Sequence, residues 1–205
     1  MRRFAYERPT SLAEAIEVLA ALGDDARVLA GGTDLVVGLR DGSVEPAVVV
    51  DIKRIEELAG ETITDAGEGL RFNALATMGQ IERDPRVLGQ LPALAEAARV
   101  VGSVQIRNRA TLAGNICNGS PAADTAPPLL VYGAVVHVTG PDGEREVPID
   151  DFIVGPKEVG LRPGELVSAI DVPTPATDLG AAYTRLVRRR GTDLASVTMC
   201  ASVDG

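Results

Sequence analysis

Cysteine and histidine are almost absent from this chain, and their scarcity excludes several kinds of site. The 205 residues contain two cysteines, Cys117 and Cys200, and one histidine, His137. An iron–sulfur cluster takes four cysteine ligands and a structural zinc site four cysteine or histidine ligands, so the chain holds neither group by itself. His137 lies in an alternating apolar pattern that favours an outward-facing strand residue over a catalytic base. We therefore expect no metal site and name no catalytic residue.

Aromatic side chains and basic charge are also scarce. The chain has three Phe, three Tyr and no Trp, and its 29 acidic and 20 basic residues give a net charge of −9 at pH 7. A flat ligand must therefore be held mostly by backbone and small side chains. The acidic balance repels the phosphates of nucleic acid and disfavours it as a partner. No apolar run is long enough to cross a membrane, and we expect a cytoplasmic protein.

The pattern of predicted helices, strands and turns divides the chain into three regions. In residues 1–54, a helix begins after Ser11 with capping-box spacing, and a strand then runs into a pair of glycines. Residues 55–174 combine hairpins with short helices and include a long stretch of low regularity at 103–128. Residues 175–205 predict two strands joined by a turn. Because a lone hairpin is only marginally stable, it must pack on the rest of the chain or on a partner.

Two segments rich in small residues are candidate binding loops, and the first follows the predicted strand. Its adjacent glycines let the backbone approach a ligand closely, and successive N–H groups beside the Thr33 hydroxyl can bind phosphate oxygens. The alternative is a plain tight turn, because the glycine spacing fits neither a P-loop nor a dinucleotide fingerprint. Asp34 is expected to cap the turn that follows. The residues of this first loop are Val28, Leu29, Ala30, Gly31, Gly32, Thr33, Asp34 and Leu35.

The second segment spans residues 106–124 and again mixes small residues with Thr, Asn and Ser donors. Asp124 follows these donors, and a carboxylate there suits a pair of ribose or ribityl hydroxyls. Two phosphate-binding loops and one hydroxyl-binding acid would fit a dinucleotide whose diphosphate lies between the loops. The alternative is that Asp124 caps the helix predicted at 127–131.

Together the two segments resemble the FAD-binding subunit of the molybdenum hydroxylases, the family of xanthine dehydrogenase and carbon monoxide dehydrogenase. The resemblance is carried by AGGTDL at 30–35 and by QIRNRATLAGNICNGSPAAD at 105–124. The pair of loops at this separation is far more specific than either loop alone. Further matching segments follow in order along the chain, at 4–6, 9–15, 161–166, 183–185 and 193–195.

The resemblance implies an α+β chain with the flavin-binding fold shared by p-cresol methylhydroxylase and vanillyl-alcohol oxidase. Its two α/β FAD-binding subdomains would be residues 1–54 and 55–174, and residues 175–205 would begin an incomplete C-terminal domain with a β-hairpin. The family's flavin subunit continues beyond this point. We therefore expect a shortened member, a fragment, or a chain completed by another polypeptide.

The resemblance also implies roles for single residues. Residues 28–35 would form the first diphosphate-binding loop, and Asp124 would bind the sugar part of FAD. Arg185 stands where relatives often have lysine, and it keeps the positive charge with a different geometry. Tyr183 matches a position near the flavin in some members. The other implied contacts are Val101 and Val167 against the rings of the cofactor, and Thr111, Gly114, Asn115 and Ser120 in the second loop.

The implied function is electron transfer through FAD. The substrate would be hydroxylated at a molybdopterin centre in a large partner subunit. Electrons would pass through [2Fe–2S] clusters in a small partner subunit to FAD in this chain, within a dimer of heterotrimers. They would leave to NAD⁺, a quinone, oxygen or another carrier. Two alternatives stay open, namely a self-contained flavoenzyme of the same fold and a scaffold subunit that has lost its flavin.

The two cysteines and a run of arginines are the remaining candidate functional residues. Cys117 lies within the second segment and is interpreted as a packed residue, not a redox centre, and Cys200 is interpreted as a core residue. The run Arg188, Arg189 and Arg190 is either a solvated strand edge or a contact with FAD phosphate or a partner subunit.

Overall fold

The structure of the protein, a computed structural model, describes residues 2–176, 179–189 and 191–204. The strands in these residues are β1 (Ala5–Glu7), β2 (Ala26–Leu29), β3 (Val48–Asp51), β4 (Ile63–Asp65), β5 (Gly69–Asn73), β6 (Val135–Gly140), β7 (Gly143–Pro148), β8 (Ile153–Gly155), β9 (Glu158–Val159), β10 (Leu166–Pro173), β11 (Leu179–Val187) and β12 (Ala195–Asp204). The helices are α1 (Leu12–Leu22), α2 (Leu35–Asp41), α3 (Met78–Ile81), α4 (Pro85–Gln90), α5 (Pro92–Arg99), α6 (Val104–Arg107), α7 (Leu112–Cys117), α8 (Ala126–Val131) and α9 (Ile149–Phe152). Within the described residues, none of these helices has both the length and the hydrophobicity needed to cross a lipid bilayer.

The N-terminal part of the chain forms a parallel sheet of three strands in the order β1-β3-β2. The continuous apolar run that predicts a buried strand forms β3, the central strand, where Val49, Val50 and Asp51 are all buried. Helices α1 and α2 supply the connections that parallel strands require. Asp51 lies opposite Leu29 in the pairing of β3 with β2. The carboxyl ends of these two strands therefore share one edge of the sheet, and the first loop begins there.

Helix α1 begins where the capping-box spacing predicts. The Ser11 hydroxyl accepts a hydrogen bond from the Glu14 N–H at 3.2 Å. The Glu14 carboxylate turns outward and accepts from the Thr10 N–H at 2.7 Å, so only one half of the box forms. The helix ends at Gly23, whose φ of 49° suits a residue without a side chain.

The second sheet contains five antiparallel strands in the order β4-β5-β10-β6-β7. One face is apolar and buried, with Phe72 and Ile170 directly opposite each other, and its removal from water is a main source of stability. The other face carries an ion cluster in which the Asp171 carboxylate accepts from Arg71 at 2.6 Å and lies 2.8 Å from His137 Nε2. His137 thus points away from the apolar face, as the alternation of its strand predicts.

The prediction of low regularity at 103–128 is wrong, because this stretch contains α6, α7 and the start of α8. Ser103 and Thr111 are the N-caps of α6 and α7, and each hydroxyl accepts from the N–H three residues later. Helices of four to six residues are too short to show a hydrophobic period in sequence. Tertiary contacts fix them instead, such as the 3.0 Å hydrogen bond from the Leu112 N–H to the Ala76 carbonyl.

Strands β11 and β12 form a hairpin that packs on α5 and α8. Burial alternates along β11, so Leu186 is exposed on the face that points away from these helices. At the turn, Arg188 pairs with Asp193 at 3.1 Å, and the Arg188 and Arg189 side chains are largely in solvent. This exposure favours the solvated-edge interpretation for both. Arg190, the last residue of the basic run, lies outside the described residues.

Candidate functional site

The first loop joins the carboxyl end of β2 to the start of α2. The backbone N–H groups of residues 31–34 make no hydrogen bond with any described residue. Gly32 has a φ of 77°, and a Cβ atom there would lie 2.7 Å from the Leu29 side chain, so the turn requires glycine. Consecutive N–H groups that are free and half-exposed make a concave site for an anion.

The first loop packs tightly against the second segment at Gly31. A Cβ atom on Gly31 would lie 2.0 Å from the carbonyl oxygen of Arg109, so no other residue fits there without moving the backbone. The Ala110 carbonyl accepts from the Met78 N–H at 2.9 Å, which anchors the second segment to α3. The gap between the two loops is therefore set by backbone contact.

Side chains also bridge the two loops. The Asn118 side-chain amide donates to the Asp34 carboxylate at 3.1 Å and accepts from the Lys157 ammonium at 2.9 Å. Asp34 stands at the N-cap of α2 but makes no capping hydrogen bond. The expectation that Asp34 caps this turn is therefore wrong, because its carboxylate is used across the gap between the loops.

In the second segment, donors gather at the start of α7. Thr111 caps this helix by accepting from the Gly114 N–H at 3.0 Å, and the Ala113 N–H has no acceptor among the described residues. The Asn115 side-chain carbonyl accepts from Thr125 at 2.6 Å, which holds the amide in place. Nearby, the Ser120 hydroxyl accepts from the Ala122 N–H at 3.3 Å and so supports the loop that follows.

Asp124 joins this segment to the C-terminal hairpin. Its carboxylate accepts from the Tyr183 hydroxyl at 2.5 Å and from the Arg185 guanidinium at 3.2 Å. Burial, together with the hydrogen bond to Asp124, raises the pKa of Tyr183. Thr125 is the N-cap of α8 and makes no side-chain cap, so the alternative of Asp124 as a helix cap is wrong. The structure brings together three residues that the sequence singles out separately.

The two predicted apolar contacts lie on different elements. Val101 is half-buried next to the turn at Gly102, whose carbonyl accepts from the Thr192 hydroxyl at 3.4 Å. Val167 is buried in β10 and pairs with Val138 of β6. Helix α7 packs on β10, which brings the second segment near Val167.

Both cysteines are half-buried free thiols. Burial raises the pKa of Cys117 to about 12 and also raises the pKa of Cys200. A thiol with such a pKa stays protonated at neutral pH and is a poor nucleophile. Both residues therefore match the interpretation as packed side chains.

A cluster that the sequence analysis missed lies beside the first loop. Asp51 is buried at the carboxyl end of β3, and its carboxylate accepts from the Tyr6 hydroxyl and from the Lys53 ammonium, the latter at 2.5 Å. Burial opposes ionisation, but the hydrogen bonds from Lys53 and Tyr6 outweigh it and lower the pKa of Asp51. The Lys53 ammonium also donates to the Ala30 carbonyl at 3.3 Å. The signal available in sequence was an acid and a lysine two residues apart at the end of a buried strand.

An open cavity of about 190 Å³ lies between the two loops. Two basic residues, Lys53 and Arg109, are among its lining residues, and Asp51 is not. The other lining residues are Ala30, Gly31, Leu75, Thr77, Asn108 and Thr111. The residues around the cavity thus include basic and hydroxyl side chains beside the glycine turn of the first loop, and these are residue types that bind phosphate.

Comparison with known proteins agrees with this geometry. Residues 2–175 match the family model described as the FAD binding domain in molybdopterin dehydrogenase. The chain belongs to this family. The putative xanthine dehydrogenase FAD-binding subunit XdhB of Escherichia coli K12 is 38% identical over 194 residues, which cover 94% of this chain and 66% of that protein. The carbon monoxide dehydrogenase medium chain of Hydrogenophaga pseudoflava is 36% identical, covering 92% of this chain and 65% of that protein.

Solved structures of the family share the fold. Carbon monoxide dehydrogenase from Hydrogenophaga pseudoflava that lacks the Mo-pyranopterin moiety superposes with a TM-score of 0.89 and 36% identity, covering 95% of this chain and 67% of that one. A cyanide-inactivated Cu,Mo-CO dehydrogenase gives a TM-score of 0.91 at 34% identity, covering 97% and 68%. The chain spans slightly less than two thirds of the length of the two curated relatives named above. The predicted family, its α+β flavin-binding fold and FAD as the cofactor of this family are confirmed.

Proposed function

We propose that this chain binds FAD between its two loops and serves as the flavin subunit of a molybdopterin-dependent hydroxylase or dehydrogenase. The observation that carries the proposal is the run of free N–H donors at residues 31–34, held against the second segment at the contact between Gly31 and the Arg109 carbonyl. These donors are half-exposed and have no acceptor among the described residues, so the oxygens of a phosphate can take them. This arrangement therefore favours a chain that retains its flavin over a scaffold that has lost it.

The two ends of the proposed site hold different parts of the cofactor. Residues 28–35 bind the diphosphate from one side through backbone N–H groups. Asp124, oriented by Tyr183 and Arg185, binds hydroxyls of the sugar part. The apolar faces of Val101 and Val167 contact the rings. The diphosphate contacts from the other side come from Thr111, Gly114 and Asn115, with support from Ser120.

When bound, FAD takes up electrons from one carrier and releases them to another. The residues of this chain bind and orient the cofactor, and none acts as a general base. In the proposed complex, [2Fe–2S] clusters of a small subunit supply electrons, a large subunit holds the molybdopterin, and the assembly is a dimer of heterotrimers. NAD⁺, a quinone or oxygen accepts the electrons. Residues 1–54 and 55–174 are the two FAD-binding subdomains, and 175–205 begin the third domain.

The first test is the flavin itself. The purified protein is expected to be yellow, with one FAD per chain released on denaturation and no FMN. A chain stripped of cofactor is expected to regain the flavin absorption bands when FAD is added. If the purified protein carries no flavin and binds no added FAD, the proposal is wrong.

The second test concerns the partners. Isolated from its own cells, the protein is expected to copurify with iron and molybdenum in two further chains, which adjacent reading frames should encode. A yellow protein that purifies without these metals and reduces a substrate by itself would instead be a self-contained flavoenzyme of the same fold. Metal analysis of the purified complex separates the two outcomes.

A further inference from the structure

Lys53 occupies a position that neither the loop sequences nor the family description identifies. Its ammonium carries three N–H donors, of which one goes to the Asp51 carboxylate at 2.5 Å and one to the Ala30 carbonyl at 3.3 Å. About one third of its side chain is exposed, and Lys53 is one of the residues that line the cavity between the loops. The third donor of the ammonium has no acceptor among the described residues and is available to a ligand.

The charges around this cavity suit an anion. The Asp51 carboxylate lies behind the ammonium, where the Tyr6 hydroxyl and the Lys53 backbone N–H also donate to it. Lys53 lines the cavity and Asp51 does not, so the cationic member of the pair is the one next to a ligand there. Arg109, on the opposite loop, is a second basic residue in the lining. In a chain with a net charge of −9, two basic residues beside one cavity are the local charge that a diphosphate needs.

We propose that the Lys53 ammonium binds a phosphate group of FAD while it holds the first loop through the Ala30 carbonyl. The inference rests on the proposed function and adds a cationic contact to a diphosphate site otherwise built from backbone N–H groups. Asp51 and Tyr6 keep the ammonium in place from behind. The same cluster thus links the buried end of β3 to the ligand.

The test compares ligands with and without phosphate. Lys53→Met is expected to weaken the binding of FAD and of ADP to the cofactor-free protein by about 10- to 100-fold, the range for a lost charge-assisted hydrogen bond. Riboflavin, which lacks phosphate, is expected to bind wild type and variant within about twofold. Lys53→Arg should recover part of the loss, and the salt dependence of FAD binding should become shallower in Lys53→Met. Titration calorimetry and flavin fluorescence measure all of these affinities.

Two variants control for stability and for charge. Arg54→Met removes the same charge one residue away, from an exposed side chain that does not line the cavity, and should leave FAD affinity unchanged. Because Lys53→Met leaves the Asp51 carboxylate buried without its cation, the double variant Asp51→Asn/Lys53→Met supplies a neutral cluster and should show the same loss.

Each possible result either supports the proposed role of Lys53 or overturns it. If Lys53→Met or the double variant binds FAD as tightly as wild type, Lys53 binds no phosphate. If riboflavin and FAD weaken equally, Lys53 acts only on the structure of the loop, and the inference is also overturned. If the wild type binds neither FAD nor ADP, the proposed function fails and this inference fails with it.

Discussion

The two ends of the candidate site are built from different chemistry. At the first loop, the donors are backbone N–H groups of residues 31–34, and the shape depends on a glycine packed against the Arg109 carbonyl. At the other end, Asp124, Tyr183 and Arg185 form a side-chain cluster between the second segment and the hairpin. The backbone of the first end should therefore be sensitive to added volume, and the side-chain cluster of the second end to the loss of a charged partner. The predictions below test that division.

The largest effect is expected at Gly31. In Gly31→Val, atoms of the new side chain would overlap the Arg109 backbone, so the two loops must move apart. FAD binding should fall by more than about 100-fold, because several N–H donors lose their positions together. Flavin fluorescence titration measures the affinity, and circular dichroism checks that the chain still folds.

Gly89→Ala is the matched control for this substitution. Gly89 lies in α4, and a Cβ atom there would meet nothing within 4 Å. Because alanine favours a helix over glycine, this variant should be more stable by about 0.5–1 kcal/mol and should bind FAD as wild type does. Equal loss of binding in both variants would contradict the role assigned to Gly31.

The second effect is expected at Arg185. Arg185→Met leaves the largely buried Asp124 carboxylate without its cation, which should lower the free energy of unfolding by about 3 kcal/mol, near the lower limit for a broken buried pair. Arg185→Lys should restore part of the loss. Urea unfolding measures both. A Tyr183→Phe/Arg185→Met cycle shows whether the two donors to Asp124 act as one unit, and additive losses would argue against a cluster.

A smaller effect separates two N-caps. Thr111→Ala and Ser103→Ala each remove a hydroxyl that caps a short helix and should each lower the free energy of unfolding by about 1 kcal/mol. Thr111 is also assigned to the second loop and lines the cavity, whereas Ser103 does not, so Thr111→Ala should in addition weaken FAD binding more than Ser103→Ala does. Matching FAD affinities in the two variants would limit Thr111 to its structural role.

The smallest effect is the response of each end to pH. The lowered pKa of Asp51 contributes stability that is present above its ordinary value of 3.8 and is lost as the pH falls through the lower value in the folded chain. The raised pKa of Tyr183 contributes stability that is present below its ordinary value of 10.0 and is lost as the pH rises through the higher folded value. In Asp51→Asn, the free energy of unfolding should fall less steeply toward acid pH than in wild type, and in Tyr183→Phe less steeply toward alkaline pH. Urea unfolding at a series of pH values measures both. A pH dependence equal to that of wild type would contradict these assignments.

The sequence predicts what depends on local pattern. The glycine turn of the first loop, the buried strand β3 and the cap at Ser11 all follow from residues close together in the chain. Asp124 is predicted from its place after the donors of the second segment, and Tyr183 and Arg185 through the family resemblance. The contact among the three depends on the packing of the hairpin on α5 and α8.

What the sequence does not predict depends on distant pairing. The carboxylate of Asp34 goes to Asn118 and not to its own helix, because a second loop lies opposite. Lys53 reaches the first loop only because β3 pairs with β2, which brings Asp51 beside Leu29. Short helices such as α6 and α7 are fixed by contacts with other elements, and no periodicity within four to six residues can reveal them.

The packing of Gly31 against the Arg109 carbonyl also has a consequence for biosynthesis. The first loop cannot reach its final shape until the second segment has been made, and Arg185 is translated about 150 residues after Gly31. At about 5–20 residues per second, these parts emerge on the order of 10 s apart. Cofactor insertion at the proposed site must therefore follow synthesis of both loops and of the hairpin that carries Arg185.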